Sequence, residues 1–171
     1  MTVTTDTVSR FASSLSGVGV ELTRTEAAGF VGALEALVEP PAVGAPLGID
    51  GLSLAEAGIN AEPTSGELRE AKTGVTRVGK GIASYGTLVL QSDAGGTEPT
   101  ALYPPRHVGV LCESDVIEDV AAALDWLGDE FADGRDSAVF ATGASATADM
   151  GELVFGVHGP VDVNVLLVTD R

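Results

Sequence analysis

A chain of 171 residues, 44% of them apolar, can bury one substantial core, so a single domain spanning residues 1–171 is expected. Twenty-five acids against nine bases leave a net charge of -16, which excludes nucleic acid and anionic membrane surfaces as partners, since phosphate backbones need Lys/Arg clusters. The positive mean hydropathy excludes disorder, and the acid excess is that expected of a folded protein from a salt-accumulating halophile, where screening weakens carboxylate repulsion.

No apolar run approaches the roughly eighteen residues of a membrane span, and "MTVTTDTVSRF" lacks the basic-then-apolar order of a signal peptide. A soluble, cytoplasmic protein is expected. Cys112 stands alone, so neither an internal disulfide nor a self-contained multi-cysteine zinc or iron–sulfur site can form. No metal or cofactor is therefore expected in this chain.

Val8, Phe11 and Leu15 recur at helical spacing, predicting a first helix over 6–15 with Thr5 as cap and Gly17 as stop. "VGVELTRT" alternates as a strand. A second helix opens at Thr25–Glu26, buries Ala27, Phe30, Leu34, Leu37 and Val38, and ends at Pro40–Pro41. Between 42 and 66 only short pieces emerge, with "APLGI" as a strand and "LSLAEAGI" as a helical turn. "ELREAK" reads as a short helix, Val75–Val78 and Gly86–Gln91 as strands, and "AGGTEPT" as a polar loop. Val108–Leu111 is a further apolar run. Ser114 or Asp115 then caps a helix whose stripe is Ile117, Val120, Leu124, Leu127 and Phe131, its acids forming a hydrated outer face. Ala138–Ala141 and Val163–Val168 read as short buried strands. Strands alternating with helices predict an α/β domain with a largely parallel sheet.

Three stretches could carry chemistry. "GVTRVGKG" comes close to a phosphate loop through Gly74, Gly79 and Lys80, but Gly81 replaces the magnesium-binding hydroxyl and β-like residues follow. Lys80 remains a lone point charge that an anion could meet. Ser145, Asp149 and His158 follow the order of a hydrolase triad, yet all three lie within one short connection. The strand ending at Ala141 runs into Thr142, Gly143, Ser145 and Thr147, placing hydroxyls and free backbone N–H groups at the carboxyl edge of a sheet. Such an edge could hold a small organic anion without a lysine. Equally, Ser145 or Thr147 could cap a helical turn that Asp149 tightens. His107, where a loop enters a strand, and His158, in a bend, could both titrate near neutrality.

"IASYGTLVL", "PPRHVGVL", "TGASATADM" and "GVHGP" followed by "VNVLLV" resemble, in this order and spacing, the LUD domain family. The resemblance covers residues 74–171 and implies a three-layer α/β/α domain similar to the sugar-phosphate isomerase and CoA-transferase superfamily. It further implies work beside iron–sulfur partner proteins in oxidising L-lactate, with this chain as a non-redox subunit binding a small anion or a protein partner. The ligand-binding positions would be Thr142, Gly143, Ser145, Thr147 and His158, with His158, Asp149 and His107 as candidate catalytic groups. A stand-alone isomerase, transferase or ligase using Asp149, and a scaffolding module with a vestigial pocket, are the alternatives. Ser84, Tyr85, Ala144 and Ala146 depart from the family pattern, the last where a base is common.

Overall fold

A computed structural model of the chain describes residues 4–149 and 152–171, without the side chain of Asp149. The first third contains α1 (Thr5–Gly17), β1 (Glu21–Thr25), α2 (Phe30–Leu37), β2 (Ala42–Gly44) and α3 (Ser65–Glu70). The middle contains β3 (Thr73–Arg77), β4 (Lys80–Ile82), β5 (Thr87–Gln91), α4 (Thr97–Leu102), β6 (Arg106–Cys112) and β7 (Val116–Ile117). The remainder contains α5 (Val120–Ala132), β8 (Ala138–Thr142), β9 (Ala146–Asp149), β10 (Glu152–Phe155) and β11 (Asp162–Val168).

The centre is a five-stranded sheet in the order β1-β11-β6-β3-β2, parallel throughout. Continuous runs such as "VNVLLV" suit it because both faces are covered. Val163, Val165 and Leu167 point to the layer holding Val8, Phe11 and Leu15 of α1. Leu166 and Val168 point to the opposite layer, against Phe30 and Leu34 of α2. The chain is thus an α/β protein with a parallel sheet flanked by helices, as the alternation of elements predicts.

A second, mixed sheet in the order β7-β4-β5-β8 lies on the α1 side, where Ala83, Leu88 and Leu90 join Phe11 and Leu111. α5 covers part of it, with Ala123 and Leu127 against Ile82 and Val89. β9 and β10 form a separate two-stranded antiparallel hairpin. Among the described residues, no helix is long and apolar enough to cross a membrane.

Several expectations are corrected. The helix after β6 begins at Val120, because Asp119 caps it by accepting the Ala122 N–H at 3.0 Å; Ser114 and Asp115 instead form a 3-10 turn and Ile117 lies in β7. Its buried face is Ala123 and Leu127, leaving Leu124 and Phe131 exposed. "AGGTEPT" is not all loop, since α4 starts at Thr97, where Asp93 accepts the backbone N–H at 3.1 Å and Pro99 sits in the tolerant first turn. "APLGI" is irregular, and the short strand precedes it at Ala42–Gly44. β8 is an edge strand with Phe140 exposed, so it is not buried.

Gly74 lets α4 lie directly on β3: a Cβ there would sit 1.9 Å from the Thr100 carbonyl oxygen. Phe11, with no exposed surface, links α1 to both sheets. Phe11→Ala is expected to destabilise the fold by about 3–5 kcal/mol, read as a lowered urea midpoint at unchanged slope.

Candidate functional site

His107 is the second residue of β6, in register between Gly74 of β3 and Val163 of β11. That central placement leaves it 2% exposed, with Nε2 2.9 Å from Thr76 Oγ1 on the neighbouring strand. Burial pulls its pKa down to about 4. The ring is therefore neutral at pH 7, contrary to the expectation that it titrates near neutrality.

His107 forms part of the wall of a cleft of about 350 Å³ at the amino ends of β6 and β11. Thr142, Gly143, Ser145, Thr147 and His158 line the same cleft, with Ala101, Leu102, Val139 and Val163 as apolar wall. The fold thus brings together every expected ligand-binding residue. Asp149 is a residue of β9, and its side chain lies outside the described residues.

Local geometry explains the run of small residues. Gly143 has φ +72°, and a Cβ there would come within 2.9 Å of the Val18 carbonyl oxygen, so the turn out of β8 requires glycine. Ser145 fastens this turn to the bend at Gly156–Pro160. Its N–H donates to Pro160 O at 2.8 Å, its carbonyl accepts from Gly156 N at 2.9 Å, and its Oγ accepts the His158 backbone N–H at 3.2 Å. Thr142 Oγ1 lies 2.7 Å from Thr87 Oγ1 on β5. The backbone N–H of Ser145 is accordingly not free, but its hydroxyl hydrogen can still be donated. After it come β9 and β10, so Thr147 belongs to a strand and caps no helical turn.

The expected carboxyl edge of a central strand is also corrected. β8 belongs to the mixed sheet, where antiparallel β5 is its partner, and its alternation of inward Val139 and Ala141 with exposed Phe140 is that of a half-buried antiparallel edge. No hydrolase triad is assembled, because His158 meets Ser145 through its backbone N–H and not through its ring. The phosphate-loop match fails too: Lys80 opens β4 where a helix would be needed, and the Gly79 N–H is bonded to Val89 O at 2.9 Å. Sequence reasoning missed the cleft's apolar wall. The exposed period-2 pattern of β8 was the signal that could have revealed it.

The neutral imidazole makes stability depend on pH. The unfolded chain binds a proton at His107 near pH 6.5 and the folded chain only near 4, so stability from this residue is full above about 6.5 and is lost as pH falls toward 4. Its size is on the order of 3 kcal/mol. His107→Gln, which keeps a partner for Thr76, is expected to flatten the difference between urea melts at pH 7 and pH 4.5 relative to the parent chain.

The family model of the LUD domain matches residues 50–168. Lactate utilization protein C of Bacillus subtilis (strain 168) is 31% identical over 106 residues, which are 60% of this chain and 44% of that protein. The match thus spans less than half the length of that relative. Lactate utilization protein C of Deinococcus radiodurans is 29% identical over 167 residues, 93% of this chain and 78% of that protein. The crystal structure of a DUF162 family protein from Deinococcus radiodurans superposes with a TM-score of 0.75 at 26% identity, over 95% of this chain and 96% of that one. With most of the chain matched in sequence and nearly all of it in fold, the protein belongs to the LUD domain family.

Proposed function

We propose that this LUD-domain chain is a cytoplasmic, non-redox component of an organic-acid utilisation system, with L-lactate as the acid and iron–sulfur proteins as its partners. Support comes from relatives bearing the name lactate utilization protein C. The observation that carries the reading is the convergence of Thr142, Gly143, Ser145, Thr147, His107 and His158 on one cleft. Among the described residues, its lining includes no Lys or Arg. A small carboxylate there is held by hydroxyl donors, its methyl or methylene carbons resting on Leu102 and Val163. Calorimetric titration of L-lactate, pyruvate and CoA in molar salt tests this. Ser145→Ala is expected to weaken binding of the preferred acid about tenfold, one hydrogen bond's worth. Equal affinities in parent and variant would remove Ser145 from the site.

A specific observation favours protein docking beside the cleft. In the β9–β10 hairpin Leu153 is 63% and Phe155 56% exposed, and Val154 and Val157 are exposed with them. A two-stranded hairpin showing consecutive apolar residues to solvent is the kind of surface a partner covers. Leu153→Asp with Phe155→Asp is expected to abolish co-purification with iron–sulfur partners from the native host while the thermal melt stays as in the parent. Undiminished recovery of those partners would exclude the hairpin from the contact.

A further inference from the structure

A second cleft, of about 430 Å³, opens at the other end of the same parallel strands. Gly48 follows the end of β2, Arg77 ends β3, and Asp115 follows the end of β6; all three line it, together with Lys80 at the start of β4. β2, β3 and β6 are neighbours in the sheet. The crevice outside the carboxyl ends of adjacent parallel strands is where open α/β sheets bind ligands. The cleft containing Ser145 does not occupy that position.

The charges here run against the rest of the chain. Of nine bases in a molecule of net charge -16, Arg77, Lys80 and Arg135 all line this cleft. Asp115 serves two of them, with Oδ1 2.5 Å from Lys80 Nζ and Oδ2 3.6 Å from Arg77 Nη2. Asp93, also in the lining, accepts the Thr97 N–H at 3.1 Å and the Thr97 hydroxyl at 2.7 Å. Glu130 is taken by Arg135 and Gln91. Asp115 thus faces two cations, and the lining as a whole sets three bases against Asp93, Asp115 and Glu130, a balanced set in a chain of net charge -16. Lys80 and Asp115 are largely withdrawn from water, with side chains 17% and 16% exposed, and Nζ stands 5.4 Å from the Trp126 ring centroid. Cations so desolvated attract an incoming anion more strongly than surface ones do.

We propose that this cleft binds the phosphate group of a small phosphorylated molecule, Lys80 and Arg77 taking its oxygens, with Arg135 held at the margin by Glu130 and Asp133. A phosphate offers three oxygens, enough to meet the Arg77 fork and the Lys80 ammonium together, whereas a monocarboxylate offers two. The volume exceeds that of the phosphate, so the carrier lies against Pro46, Leu47 and Trp126. This site is independent of the organic-acid cleft, and either can fail without the other.

The test titrates the full chain with inorganic phosphate and with glycerol 3-phosphate at constant ionic strength in KCl, by calorimetry and phosphorus NMR. Saturable binding is expected, tighter for the ester. Arg77→Gln and Lys80→Gln are each expected to weaken it about tenfold. Asp115→Asn, which frees both cations, is expected to tighten it several-fold, a gain that a purely structural ion pair would not give. Ser145→Ala should leave phosphate affinity unchanged, and Lys80→Gln should leave any lactate affinity unchanged. Should Lys80→Gln not fold, the more exposed Arg77 still carries the comparison. Absence of saturable phosphate binding by the parent chain would overturn the proposal. So would affinities equal to the parent's in the Arg77 variant, or displacement of phosphate by equimolar succinate.

Discussion

Residues 106–112 of β6 lie beside residues 162–168 of β11 in unbroken parallel register, from Arg106 opposite Asp162 to Cys112 opposite Val168. Both strands are flanked on each side by further parallel strands, so neither exposes an edge. Their side chains supply both apolar layers, and slipping the register by one residue would turn each set to the wrong helix. The pairing also sets the two ends of the molecule. At the amino end it holds His107 beside Val163 in one cleft; beyond the carboxyl end it delivers Asp115 to the other.

The two clefts differ in how they handle polarity. Around His107 the protein removes charge: the imidazole is stripped of water and kept neutral, and hydroxyls bond to the ring, to one another or to backbone. Around Lys80 it keeps charge, setting three bases among three carboxylates and sharing Asp115 between two of the bases. A surface rich in carboxylates makes the contrast sharper, because repulsion from the rest of the chain opposes every anion approaching either place. Where cations gather despite that background, the gathering is the departure from composition that needs a physical reason.

Elements with a strong period are legible in the amino-acid sequence alone. Val8, Phe11 and Leu15 define α1, Phe30 and Leu34 define α2, and the unbroken apolar runs of β6 and β11 read as doubly covered parallel strands. What escapes lacks a period or has a competing signal. β4 is three residues, two of them Lys80 and Gly81. The hairpin strand "ATAD" resembles a loop, and "ELVF" shows every residue to solvent, so no face marks it. In α5, Asp115 competes with Asp119 as the cap, and Leu124 and Phe131 fit the apolar spacing although they lie exposed. The candidate site is legible as a set of residues because Thr142, Ser145 and His158 lie close in the chain. Its place in the sheet is not, since which strand pairs with β8 is a long-range fact that no local pattern encodes.

α4 is six residues long and therefore spans about 9 Å. Thr97 at its start borders the charged cleft, while Ala101 and Leu102 at its end border the uncharged one. Gly74 seats it so closely on β3 that it has no room to sink. The helix is in effect a party wall between two chambers: seated on Gly74 and unable to shift inward, it keeps their shapes separate.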